Sequence, residues 1–141
     1  MRSFDFLPIT RFSQAPPAGA ASKPFTRILQ PFAQVLDTRR SQMVVLGVEL
    51  FRATASAAGQ VPVLDVQVCD AIDSDSWTTM FSTPTSASVR QEGQFILTLL
   101  KSIERGGDYR LGQYLRWAVR FPATVSGSSA VLCARITATE A

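Results

Sequence analysis

The chain has 141 residues, 46% hydrophobic and 18% charged, which excludes a disordered polymer and suits one domain with its own core. Histidine is absent, and the longest apolar run, Met43 to Val48, falls far short of the roughly 20 residues of a membrane helix. The net charge of +3 is unevenly placed: residues 1–40 carry six basic against two acidic side chains, and the rest of the chain eight against nine.

Residues 1–24 divide in two. The first half places large apolar side chains at Phe4, Phe6, Leu7, Ile9 and Phe12. The second half, from Gln14 to Pro24, is rich in Pro, Ala, Gly and Ser and shows no hydrophobic period, as in an extended linker. Together they predict an extended N-terminal arm (1–24) in front of a β domain (25–141). An apolar peptide on a tether must bury itself, either on its own body or in a neighbouring subunit. The latter makes Phe4, Phe6, Leu7, Ile9 and Phe12 candidate partner-binding residues. Asp5, Pro8 and Arg11 interrupt any leader-like apolar stretch, so synthesis in the cytoplasm is expected. The basic residues of this region stand singly, which disfavours nucleic acid as a partner, because counterion release needs clustered cations.

From Phe25 to Asp37 the apolar spacing would suit a helix, but Pro31 argues for two short extended pieces. Beyond Arg40 the period is two. Met43–Thr54 places Val44, Leu46, Val48 and Leu50 on one face, with Glu49 and Arg52 on opposite faces. Val61–Asp70 turns Leu64, Val66 and Val68 inward and Asp65 and Gln67 outward. Strands follow at Trp77–Ser82, Ser88–Gln91 and Gln94–Ser102. In Gln113–Phe121, Leu115, Trp117, Val119 and Phe121 oppose Tyr114, Arg116, Ala118 and Arg120. Ala130–Thr139 turns Leu132, Ala134 and Ile136 inward and Cys133, Arg135 and Thr137 outward. Turn-forming groups separate these segments: Ala58-Gly59, Asp73-Ser74-Asp75, Gly106-Gly107-Asp108 and Ser126-Gly127-Ser128. The pattern predicts an all-β, antiparallel β-sandwich or jelly-roll-like body.

The chemistry-bearing residues do not form a catalytic set. Without histidine, the commonest general base and transition-metal ligand are missing, and the acidic residues fall in turns or at outward, solvated positions such as Asp65 and Glu49. No enzyme, cofactor or small-molecule substrate is expected. Asp70, Asp73 and Asp75 supply three carboxylates where a calcium loop needs six or more oxygens, so they read as a turn. Cys69 and Cys133 read as free thiols on neighbouring strands, with one bridge as the alternative. Trp77 and Trp117 read as core pillars. Tyr114, Arg116 and Arg120 share an outward face of the kind found at protein interfaces.

Two blocks, Asp73-Ser74-Asp75-Ser76-Trp77-Thr78 and Gln113-Tyr114-Leu115-Arg116-Trp117, resemble blocks of small β-sandwich proteins encoded among tailed-phage structural genes. The resemblance spans roughly residues 43–139. It implies a virion accessory protein that decorates or stabilises the head, binds capsid or other virion proteins and forms a homo-oligomer. Discoidin-like carbohydrate-binding modules have a similar rhythm and are the alternative. Ser76 and Gln113 depart from both patterns, where glycine and arginine are usual. The cysteine pair that closes many discoidin domains is absent, and no ligand residue is carried over.

If the Asp70–Asp75 segment is a turn and not a calcium loop, a chelator leaves the melting temperature unchanged, because no ion-binding energy is linked to folding. A thermal melt with and without EDTA checks this. A loss restored by calcium would show the ion site.

Overall fold

The period-2 segments form strands in a computed structural model of the chain, which describes residues 2–15, 19, 25–55, 61–71, 76–84, 97–106, 110–122 and 129–141. In chain order the strands are β1 (Arg2–Gln14), β2 (Thr26–Leu29), β3 (Leu36–Asp37), β4 (Met43–Ala55), β5 (Val63–Cys69), β6 (Thr78–Ser82), β7 (Leu97–Glu104), β8 (Tyr114–Phe121) and β9 (Ala130–Glu140). All pair antiparallel in two sheets. The first has the order β1-β9-β4-β7 and the second β2-β8-β5-β6, with β3 also on β8. The inward residues of the two sheets form one core, in which Leu46, Leu50, Ile103, Leu132 and Ile136 of the first face Leu64, Val66, Leu115, Trp117 and Phe121 of the second. The fold is an antiparallel β-sandwich. The expected segment at Ser88–Gln91 and most of the turn groups lie outside the described residues.

The expected arm is a strand of the sandwich. β1 pairs along β9 from Arg2↔Glu140 to Gln14↔Ala130, and Phe6 and Leu7 are buried in the core at 4% and 2% exposure. The reason lies in β9, whose inward face carries alanine at 130, 134 and 138 between Leu132 and Ile136. Those small side chains leave space that β1 fills: Phe4 lies opposite Ala138 and Phe12 opposite Leu132. Alternation alone would bury only one of the adjacent Phe6 and Leu7. Irregularities between Asp5 and Thr10 insert extra residues into β1, so both turn inward. Pro8 sits within this stretch on an edge strand, where its missing N–H costs no ladder bond, and Thr10 Oγ1 donates to its carbonyl at 2.7 Å. Residues 2–14 therefore belong to the same sandwich as strands β2 to β9.

Pro31 divides the next edge as expected. β2 lies against Ala118–Phe121 and β3 against Tyr114–Leu115, with a 3-10 turn at Phe32–Gln34 between them. Gln30 bridges the gap: its backbone N–H donates to Trp117 O at 3.1 Å, and its side-chain Oε1 accepts from Trp117 N at 3.2 Å. Its Nε2 donates to Gln34 O at 2.9 Å, so a buried amide takes over the ladder where the strand leaves β8.

An irregularity between Leu50 and Arg52 in β4 moves Arg52 from its expected face. Glu49 lies opposite Arg135 and Arg52 opposite Cys133, so both are on the outer side of the first sheet, and Glu49 pairs with Arg135. One extra residue in a strand reverses the alternation beyond it.

Leu7→Ala should destabilise the chain by about 2–5 kcal/mol and Trp117→Ala by about 3–5 kcal/mol, whereas Tyr114→Ala, on the outer face, stays near or below about 1 kcal/mol. Denaturant midpoints check the order. Removing residues 2–14 should abolish the cooperative transition, because it bares the inward face of β9.

Candidate functional site

The outer face of the second sheet is set by register. Arg27 of β2 lies opposite Arg120 of β8, which lies opposite Val63 of β5; Leu29 lies opposite Ala118 and then Asp65; Arg116 lies opposite Gln67. Tyr114, Arg116 and Arg120 thus share one outward face, as the alternation predicted.

The expected solvation of Asp65 is not found. Every residue of β5 is buried, so Asp65 and Gln67, each at 2% exposure, point outward beneath a layer of other side chains. Arg120 forms a forked pair with Asp65, its Nε donating to Oδ2 and its Nη2 to Oδ1, both at 3.2 Å; Ser82 Oγ donates to the same carboxylate at 2.5 Å. Arg116 Nε donates to Gln67 Oε1 at 2.8 Å, and Gln67 Nε2 donates on to Thr79 Oγ1 at 3.2 Å. The second face of the Arg116 guanidinium layer is aromatic: its carbon lies 4.1 Å from the centroid of Trp77. Trp77 is therefore half-buried on the outer face, not a core pillar, whereas Trp117 points inward against Phe12 with ring centroids 5.6 Å apart. Trp77 and Arg116 come from the two blocks noted in the sequence, and their contact gives those blocks a shared physical role.

Charge on this face is unbalanced. Asp65 offsets Arg120, but neither Arg27 nor Arg116 has a carboxylate partner among the described residues. Burial, and after it the nearby charge of Arg27, push the Arg116 guanidinium below its ordinary pKa. At the far end of β8, Arg39 forks onto Asp37 and holds that carboxyl down to about 2, first by the side-chain hydrogen bond; Arg39 also lies 5.5 Å from the Tyr114 ring.

A second feature lies between the edge strand β1 and the Gln30–Gln34 turn that follows the edge strand β2. A groove of about 290 Å³ opens there, lined by Phe4, Asp5, Phe6, Pro8, Gln30 and Gln34. Ile9 at 62% exposure, Phe25 at 48%, Leu29 at 45% and Phe32 at 66% stand out from the two edges. Of the five arm residues, Phe6 and Leu7 are thus core, Phe4 and Phe12 are half-buried against it, and Ile9 is exposed. The signal for Phe25, Leu29 and Phe32 was present in the sequence as apolar residues around a proline, which alternation could not assign to a face.

Neither a family model nor a curated protein sequence matches the chain. Among solved structures, it is similar to the VP2 subviral particle of infectious bursal disease virus (11% identity, TM-score 0.46) over 99% of this chain and 32% of that one. The Gt strain of the same virus gives 14% identity and a TM-score of 0.41, again over 99% and 32%. The chain spans about a third of the length of these structures. Both TM-scores lie below 0.5, and the fold assignment rests on the strand pairing.

At one end of the sandwich a cleft of about 590 Å³ is bordered by Cys69, Asp70, Thr78, Arg105, Arg110 and Gln113. Arg105 is committed to the fold, its Nε donating to Ser41 O at 2.8 Å and its Nη2 to Thr38 O at 2.6 Å. Gly112 lies on the same wall because a Cβ there would sit 2.8 Å from Cys69 O. Asp70 is exposed at this rim; Asp73 and Asp75 lie outside the described residues. Cys69 and Cys133 form no disulfide and belong to different sheets, not to neighbouring strands, and their outward registers put them on opposite outer faces.

The Asp65–Arg120 pair predicts unequal single-variant costs. Arg120→Ala leaves a carboxylate whose side chain is 3% exposed without its cation, and should cost about 3–5 kcal/mol. Asp65→Ala leaves an arginine that is 39% exposed and can turn to water, and should cost only about 1–2 kcal/mol. Denaturant unfolding of the two variants checks the order.

Proposed function

We propose that this chain is a non-enzymatic structural subunit of a tailed-phage or phage-like virion, which binds and stabilises capsid or neighbouring virion proteins. The observation that carries this reading is the row of exposed Phe25, Leu29 and Phe32 along β2 and the turn that follows it. Large apolar side chains grouped on a soluble fold mark surfaces that dock on protein. The resemblance of the Asp73–Thr78 and Gln113–Trp117 blocks to phage structural proteins supports the setting, and their meeting through Trp77 and Arg116 supports a role for that face. Oligomer formation and synthesis in a host cytoplasm belong to the same reading.

Carbohydrate binding in the discoidin manner draws less support. Such modules need an aromatic face open to a sugar ring, and the guanidinium of Arg116 covers Trp77 at 4.1 Å.

The test is co-sedimentation of the purified chain with assembled particles. The wild-type chain should pellet at saturable stoichiometry. The Phe25→Ser/Leu29→Ser/Phe32→Ser variant, which alters only exposed positions, should fold with an unchanged circular dichroism melt and stay in the supernatant. Wild-type chain that fails to pellet, or a triple variant that pellets fully, would sink the proposal.

A further inference from the structure

Resting on the docking reading above, we infer that the β2 edge and the arginine face beside it recognise an extended protein segment in which carboxylates alternate with apolar side chains. On the outer side of β2, Arg27 and Leu29 stand two residues apart, and Phe25 lies next to them with the Arg27 guanidinium 5.6 Å from its ring centroid. Two residues of strand span roughly 7 Å, the same repeat that an extended partner would present. Phe32 continues the apolar row on the turn that follows.

Charge selects the occupant. Arg27 and Arg120 are directly opposite across the β2–β8 ladder, an arrangement of like charges that weakens a sheet by itself. Asp65 neutralises Arg120 from beneath, and among the described residues its buried carboxylate bonds Arg120 and Ser82 and neither Arg27 nor Arg116. Arg116 is held flat between Gln67 and Trp77, which fixes its position before any partner arrives. Two oriented cations thus remain at the sheet surface next to Phe25, Leu29 and Phe32. A carboxylate placed beside Arg27 would relieve its repulsion with Arg120 and receive charge-assisted hydrogen bonds, and a second could do the same at Arg116. The apolar neighbours would meanwhile take the alternate side chains of the same segment. A nucleic acid fits less well: two unmatched cations release few counterions, and the large exposed side chains are apolar. Arginine mixed with aromatic and aliphatic side chains is the composition of protein interfaces.

The test selects short random peptides on the immobilised full chain and measures the recovered peptides by fluorescence anisotropy. Recovered sequences should interleave Asp or Glu with Leu, Ile or Phe. Their affinity should fall by about an order of magnitude with Arg27→Glu and with replacement of the peptide's Glu by Gln, and should weaken as salt rises. Arg27→Gln, which introduces no new charge, should give a smaller loss in the same direction. Arg11→Glu, an exposed cation on β1, should change nothing. Neutral or basic consensus sequences, no enrichment, or affinities indifferent to Arg27 would overturn the inference. So would a single-stranded oligonucleotide or inorganic phosphate that displaces the peptides at lower concentration. Particle co-sedimentation separates the two levels. If the triple apolar variant loses the particle while Arg27→Glu keeps it, docking stands and the acidic partner falls. If the wild-type chain never binds the particle, the docking reading itself falls.

Discussion

The pairing of the first strand with the last closes the sandwich, and most other features depend on it. The inward side of β9 alternates alanine with Leu132 and Ile136, so it has too little volume to fill its half of the core. β1 supplies what is missing through Phe4, Phe6, Leu7 and Phe12. The same pairing ties the termini together: Arg2 bonds Glu140 at 2.9 Å, and Glu140 also accepts from Ser41 at 2.8 Å. Such surface ion pairs add little energy by themselves, so the weight falls on the apolar contacts. Because these contacts connect residues far apart in sequence, the sheet cannot form early from local interactions.

Closure has a second consequence. With β1 at the edge of one sheet and β2 at the edge of the other, β1 packs against β8, the strand next to β2, and Phe12 reaches Trp117. The core takes the inward members of each edge, and Ile9, Leu29 and Phe32 are left outside. The surface proposed for docking lies on β2 and the turn that follows it, beside the strands that complete the core. Edge strands are normally protected against further pairing, and here the irregularities around Pro8 and the break at Pro31 interrupt both edges.

The outer face of the second sheet shows how a polar layer can be buried without a core. Asp65 and Gln67 are covered by the long side chains of Arg120 and Arg116 and satisfied by them. Arginine suits this role because its stem and planar head pack as well as bond. The surplus of positive charge arises because, among the described residues, Arg120 meets a carboxylate and Arg27 and Arg116 do not.

The antiparallel class and the inward faces of β4, β5, β8 and β9 were legible in the sequence, since period-2 alternation is imposed by the backbone itself. So was the outward grouping of Tyr114, Arg116 and Arg120, and the break at Pro31, where a missing N–H ends the ladder. The positions of Arg52, Trp77 and residues 2–14 were decided only in three dimensions. An added residue in β4 turned Arg52 onto the face of Glu49, and no local pattern marks where such a residue enters. Trp77 went outward because Arg116, distant in sequence, offered its guanidinium as a cover. The apolar residues of β1 announced that they would be buried, but burial has no address in the sequence. The space left by the alanines of β9 supplied it.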